Sequence, residues 1–124
     1  MARGLDDRGL LPVSLDEALS PESKVYSRWT LHGVSHMLGM DVHDCGRTSV
    51  DIYPKGDLAE GMVLTVEPGL YFQEDDLLVP EELRGIGIRI EDDILVTDEG
   101  STNLSAALPR TSADVEEWMG SLRP

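Results

Sequence analysis

Basic residues are scarce in this sequence: 10 Lys and Arg stand against 24 Asp and Glu, for a formal net charge of −14. A surface this acidic has nothing with which to neutralise a row of phosphates, so nucleic acid is disfavoured as a partner, and anionic membranes are disfavoured by the same deficit. There is one cysteine, Cys45, which excludes an internal disulfide and fits a reducing, cytoplasmic location. No apolar run approaches the roughly 20 residues of a membrane span, and no signal-peptide-like apolar segment opens the chain. Aromatics amount to 5%, so the core must rest on Leu, Val, Ile and Met. The 124 residues make one domain or part of one, with no repeat, low-complexity stretch or dividing linker.

Histidine is rare too, and its placement is informative. All three histidines, His32, His36 and His43, fall within twelve positions of a stretch punctuated by Gly33 and Gly39. Imidazole is the common neutral metal ligand and the proton carrier of near-neutral pH. Downstream, Glu67 ends the apolar run from Met62, and Glu91 follows Gly87-Ile88-Arg89-Ile90. A carboxylate in an apolar strand is costly unless its charge is compensated, and a metal ion compensates it. The residues therefore suggest a metal site built from a histidine and glutamates.

Taken in order, Met1 to Leu11 reads as the last turns of a helix with an exit at Gly9. Ser14 and Glu17 have capping-box spacing and open a short helix over Leu15–Leu19. Lys24 to Leu31 is expected to be an extended approach to the histidines. His32 to His43 is expected to be turn-rich, because Gly33 and Gly39 disfavour the helix that the four-residue spacing of His32 and His36 would otherwise allow. Asp44 to Glu60 reads as a surface loop, and the reading for Cys45 is structural or neutral. Gly61 to Glu67 is a strand, bent by Pro68-Gly69 before Leu70-Tyr71-Phe72. Gln73 to Arg84 is an acidic loop whose Asp75-Asp76 and Glu81-Glu82 pairs are expected to face solvent. Ile86 to Glu91 alternates as a strand with one face in the core, and Ile94 to Thr97 is a second. Asn103 to Ser105 is a strand end or loop. A helix from about Ala113 to Met119, capped by Thr111 or Ser112, is expected to dock through Val115, Trp118 and Met119.

Three of these stretches resemble the motifs of the aminopeptidase P (Xaa-Pro aminopeptidase) family, in order and spacing: His32-Gly33-Val34-Ser35-His36 through Asp44, Thr65-Val66-Glu67-Pro68-Gly69-Leu70-Tyr71, and Gly85-Ile86-Gly87-Ile88-Arg89-Ile90-Glu91-Asp92-Asp93. The resemblance runs from roughly Leu10 to Met119. It implies an α+β fold, the C-terminal portion of a pita-bread domain with antiparallel sheet flanked by helices, and a C-terminal helix and tail over 111–124. It also implies hydrolysis of the bond between an N-terminal residue and proline, at two metal ions, usually manganese, with a peptide carrying proline at its second position as substrate. Carried over by motif, the metal ligands are His36, Glu67 and Glu91. Glu67 would also pass the proton, His32 and His43 would handle protons or the substrate carbonyl, and Arg89 and Tyr71 would belong to the supporting hydrogen-bond network. From the residues alone, Arg89 suits a strand-face ion pair equally well, and Tyr71 suits the core.

The family also uses two aspartate ligands, expected on strands well upstream of the histidine motif, and this sequence is expected to begin too late to hold them. Asp6 and Glu17 stand in a helix-and-loop context and are not assigned. Two other readings follow. One is a prolidase-like dipeptidase, which resembles the family in these motifs. The other is a non-catalytic portion or subunit completed by a partner, with self-association, a homo-oligomer included, expected from uncovered sheet edge.

Overall fold

The computed structural model describes residues 1–44 and 56–123. Cys45, most of the Asp44–Glu60 loop and Pro124 lie outside the described residues. The chain forms two compact units, Met1–Ser35 with Glu67–Arg89 and His36–Val66 with Ile90–Pro124.

In the first unit, α1 (Ala2–Asp6) leads to an exit at Gly9, whose φ of +64° suits a residue without a Cβ. Helix α2 (Leu15–Leu19) starts where the spacing placed it: the Ser14 side chain accepts the Glu17 N–H at 3.2 Å. Lys24 to Leu31 departs from the extended expectation, since Val25–Trp29 is a 3₁₀ turn entered through left-handed Lys24, φ 44°. The reason is tertiary. Trp29 is fully buried with Leu5 and Val79, and its indole N–H must reach an acceptor there. Leu10, Leu11, Tyr26, Leu70, Phe72 and Leu83 pack around this centre, with Phe72 edge-on to Trp29 at 5.9 Å between centroids. Strand β2 (Gly69–Tyr71) pairs antiparallel with β3 (Gly87–Arg89), in register Gly69↔Arg89 and Tyr71↔Gly87.

The acceptor for Trp29 corrects a second expectation. Asp76 does not face solvent; it is buried. Its Oδ2 accepts from Trp29 Nε1 at 2.9 Å and from Arg28 Nε at 2.6 Å, and its Oδ1 accepts the Leu78 N–H at 3.0 Å. The Arg28 hydrogen bond, ahead of the others, holds the carboxyl at a pKa of about 2 against the opposing effect of burial. Glu81 and Glu82 are exposed as expected, within a 3₁₀ turn at Glu81–Leu83. The expected core face of the Ile86–Glu91 strand is a third correction: every residue of β3 is exposed, Ile88 at 61%. The apolar contacts of this ladder come instead from β2, whose Leu70 packs on the Trp29 centre.

In the second unit, β1 (Val63–Val66), β4 (Asp92–Thr97) and β5 (Gly100–Asn103) form an antiparallel sheet in the order β1-β4-β5. The register is Val63↔Leu95 through Val66↔Asp92, and Ile94↔Asn103 through Thr97↔Gly100. Strand β5 has only polar residues and glycine, so no hydrophobic pattern marks it; its end at Asn103 agrees with the strand end expected there, and Asp98-Glu99 makes the turn that pairs it. Helix α3 (Ser112–Ser121) is capped by Thr111, whose hydroxyl accepts the Asp114 N–H. It does not dock as expected: it has no buried residue, and Trp118 is 50% exposed.

Candidate metal centre

The turn-rich reading of the histidine stretch holds, and backbone hydrogen bonds account for its shape. In the second unit His36 lies alongside β1: its carbonyl accepts the Thr65 N–H at 2.9 Å, and its own N–H donates to Thr65 Oγ1 at 3.1 Å. Leu38 donates to the Val63 carbonyl at 2.9 Å, and Met37 bridges both Leu64 and Asp44. The loop then turns around Asp44, whose carboxylate accepts the Met40 N–H at 2.8 Å. Gly39 leaves room for this turn, because a Cβ there would meet the Asp44 carboxylate and displace it. That turn returns His43 to His36, with rings edge-on and centroids 4.5 Å apart.

The His36 ring has a defined orientation. Nδ1 lies 2.9 Å from the Met37 carbonyl, which can only accept, so Nδ1 carries the proton and the lone pair of the neutral ring sits on Nε2. Glu91 stands just before β4, and a carboxylate oxygen of Glu91 and a ring nitrogen of His36 lie within 4.8 Å of one another. An imidazole with a committed tautomer beside a carboxylate is a donor set that fits a borderline-to-hard divalent cation. His36 is half-buried and Glu91 exposed, so the pair opens to solvent.

Asp92, next to Glu91, is engaged elsewhere. Its carboxylate pairs with Arg110 through both Nε and NH2, and accepts from Ser105 Oγ at 2.8 Å. Arg110 also donates to the carbonyls of Ala106 at 3.1 Å, Leu108 at 2.9 Å and Ser105 at 2.9 Å. The hydrogen bonds from Arg110 and then Ser105 keep the Asp92 carboxyl at a pKa of about 2. Sequence reading missed this network and the role of Thr65; the adjacent acids Glu91-Asp92-Asp93 gave no sign of which was committed.

In the first unit, Glu67 is buried, its N–H donates to the Val34 carbonyl at 2.8 Å, and its Oε2 lies 3.7 Å from Arg89 NH1. Arg89 thus makes the strand-face ion pair that the residues alone allow, with Glu67 as its partner. His32 Nδ1 lies 2.6 Å from the Gly33 carbonyl, and Nε2 lies 2.7 Å from the Tyr71 hydroxyl. Since the carbonyl can only accept, Nδ1 donates, and Nε2 of the neutral ring accepts the Tyr71 O–H. The Tyr71 ring crosses two glycines: a Cβ at Gly69 would meet it at 2.7 Å, and one at Gly87 at 2.9 Å. Tyr71 is therefore half-buried against its own hairpin while its hydroxyl orients His32.

Among the described residues no helix is long and apolar enough to cross a membrane. Residues 13–98 match the model of metallopeptidase family M24. The chain is 60% identical over 123 residues to Xaa-Pro aminopeptidase 1 of Streptomyces coelicolor, an alignment covering 99% of this chain and 25% of the relative. Zinc-substituted aminopeptidase P of Escherichia coli in complex with product superposes with a TM-score of 0.83 at 42% identity, covering 100% of this chain and 27% of that one. The same enzyme with the inhibitor Pro-Leu gives 0.82 at 43% identity, covering 98% and 26%. The chain thus spans about a quarter of the length of the relatives it matches, and its α+β fold is that of the corresponding part of the pita-bread aminopeptidases P. With the family model matching most of its length, this chain belongs to metallopeptidase family M24.

Proposed function

We propose that this chain supplies the histidine and glutamate half of the active site of an Xaa-Pro aminopeptidase, with His36, Glu67 and Glu91 as metal ligands. The observation that carries the reading is the His36–Glu91 pair, with Nδ1 of His36 committed to the Met37 carbonyl. Glu67 is joined to them on the strength of its motif, its burial and its Arg89 partner. Manganese is the proposed ion, two per complete site; oxygen-rich ligands with one imidazole suit it. A divalent cation there supplies Lewis acidity toward a carbonyl oxygen and a water.

The chain's own residues do the rest. Arg89 aims the Glu67 carboxylate through their ion pair, and Glu67 accepts and passes the proton as the peptide bond breaks. His32 and His43 are proposed to face the substrate carbonyl, His32 in the orientation that Tyr71 imposes. A peptide bond to proline has no N–H, so recognition rests on that carbonyl and on shape. The proposed setting is cytoplasmic, in keeping with a lone cysteine.

Two measurements test this. After dialysis against manganese, native mass spectrometry of the chain should show bound metal that His36→Ala and Glu91→Gln remove; a metal-free chain contradicts the ligand assignment. Completed by the half that carries the two aspartate ligands, the site should also release the first residue of Xaa-Pro-Yaa tripeptides. Cleavage of Xaa-Pro dipeptides alone would make it a prolidase instead.

A further inference from the structure

Three consecutive acids, Glu91, Asp92 and Asp93, run into the start of β4, and only the motif resemblance singles out Glu91 among them. The structure distinguishes Asp92. Its carboxylate is taken by Arg110 and Ser105, while the Asp93 N–H donates to Ser105 Oγ at 3.0 Å and the Asp93 carbonyl accepts the Leu104 N–H at 2.8 Å. Arg110 itself lies beyond the matched residues 13–98 of the family model. Its guanidinium ties three carbonyls of the 105–108 loop to the first residue of β4. That residue pairs with Val66, and its neighbour Asp93 pairs with Thr65, the residue that holds the His36 backbone through two hydrogen bonds. One side chain thus braces the strand end next to Glu91 against β1, whose Thr65 holds the His36 backbone.

We propose that Arg110 is a positioning residue for the metal site, acting through Asp92: it fixes the start of β4 so that Glu91 meets His36, and it withholds the Asp92 carboxylate from competing for the cation. This rests on the ligand reading of His36 and Glu91. A fork of five donors does both tasks, whereas a lysine ammonium keeps the charge and loses the planar grip on carboxylate and carbonyls together. Residues that orient ligands from behind change metal affinity by about 10- to 100-fold when replaced.

The experiment is a titration of the full chain with Mn²⁺ alone, following loss of the free-ion EPR signal, for the unsubstituted chain, Arg110→Met, Arg110→Lys, Glu91→Gln and the double variant Arg110→Met/Glu91→Gln. Circular dichroism selects the variants that keep the native spectrum, and Arg110→Lys provides the milder case if Arg110→Met fails to fold. Arg110→Met is expected to raise the Kd for Mn²⁺ by about 10- to 100-fold, with Arg110→Lys in between. In the Glu91→Gln background the same replacement is expected to change the Kd less than about twofold, because there is no ligand left to position. A loss of equal size in both backgrounds, or unchanged affinity in a folded Arg110 variant, overturns the proposal. Equal Mn²⁺ binding by the unsubstituted chain and Glu91→Gln, or binding by neither, overturns the ligand reading and the proposal with it.

Discussion

The Tyr71 hydroxyl lies 2.7 Å from Nε2 of His32, a residue 39 positions away, and this bond together with the Gly33 carbonyl determines which ring nitrogen of His32 carries the proton. Tyr71→Phe removes the donor and leaves Nε2 to water. The His32 ¹⁵N resonances should move toward those of a freely exchanging imidazole. Because the pair is exposed, the loss in stability should be at most about 1 kcal/mol. Unchanged His32 resonances would argue that Tyr71 does not orient the ring.

Gly87→Ala would place a Cβ 2.9 Å from Tyr71 Cδ1, and Gly69→Ala would place one 2.7 Å from Cε2 and Oη. Either methyl must push the ring off its hairpin, since the backbone on both sides is held by the β2–β3 ladder. A loss of about 1–3 kcal/mol is expected, as for other overpacked sites. Urea unfolding measures it, and the same ring displacement should disturb His32 as Tyr71→Phe does.

Asp76→Ala should destabilise the first unit by a comparable amount through a different route. Arg28 is half-exposed and can return to water, but the Trp29 N–H is buried and would lose its acceptor. An orphaned donor of this kind costs about 1–3 kcal/mol. A urea midpoint unchanged by Asp76→Ala would show that the indole finds another partner.

The same carboxyl makes stability depend on acid pH. Folding lowers the Asp76 pKa from an ordinary 3.8 to about 2, so the charged form is favoured in the native state. Its contribution is complete above about pH 4 and fades as pH falls from there toward about 2. Asp92 is lowered to a similar value and adds to the same limb. Urea midpoints between pH 2 and 5, measured with chelator, should fall steeply for the unsubstituted chain and less steeply for Asp76→Asn.

Manganese should stabilise the chain by mass action, by about 2.7 kcal/mol at a free concentration one hundred times the Kd. His36→Ala should abolish that increment while leaving the metal-free unfolding midpoint nearly unchanged, because the ring is only half-buried. A thermal shift that persists in His36→Ala would place the ion elsewhere.

Much of the fold was legible along the chain because these parts of it are local. Ser14 capping α2, Thr111 capping α3, the turns at Gly9 and Gly39 and the branched run of β1 are properties of a few neighbouring residues. What was misread depended on partners distant in sequence. Trp29 in a 3₁₀ turn and Asp76 in the interior explain each other across 47 residues, and neither carries a local sign of the other. Strand β5 has no hydrophobic alternation and exists through its pairing with β4.

Three motifs in order and at fixed spacing were enough to indicate the family, because such stretches are chemical necessities written along a few neighbouring residues. Folding settles which ring nitrogen of His36 and of His32 faces a backbone carbonyl, that Arg89 partners Glu67, and that Arg110 claims Asp92 while Glu91 stands beside His36. Those outcomes depend on distances of a few ångströms between segments far apart in the chain, and hydrogen-bond geometry at that scale arises only once the strands are paired and the core is closed.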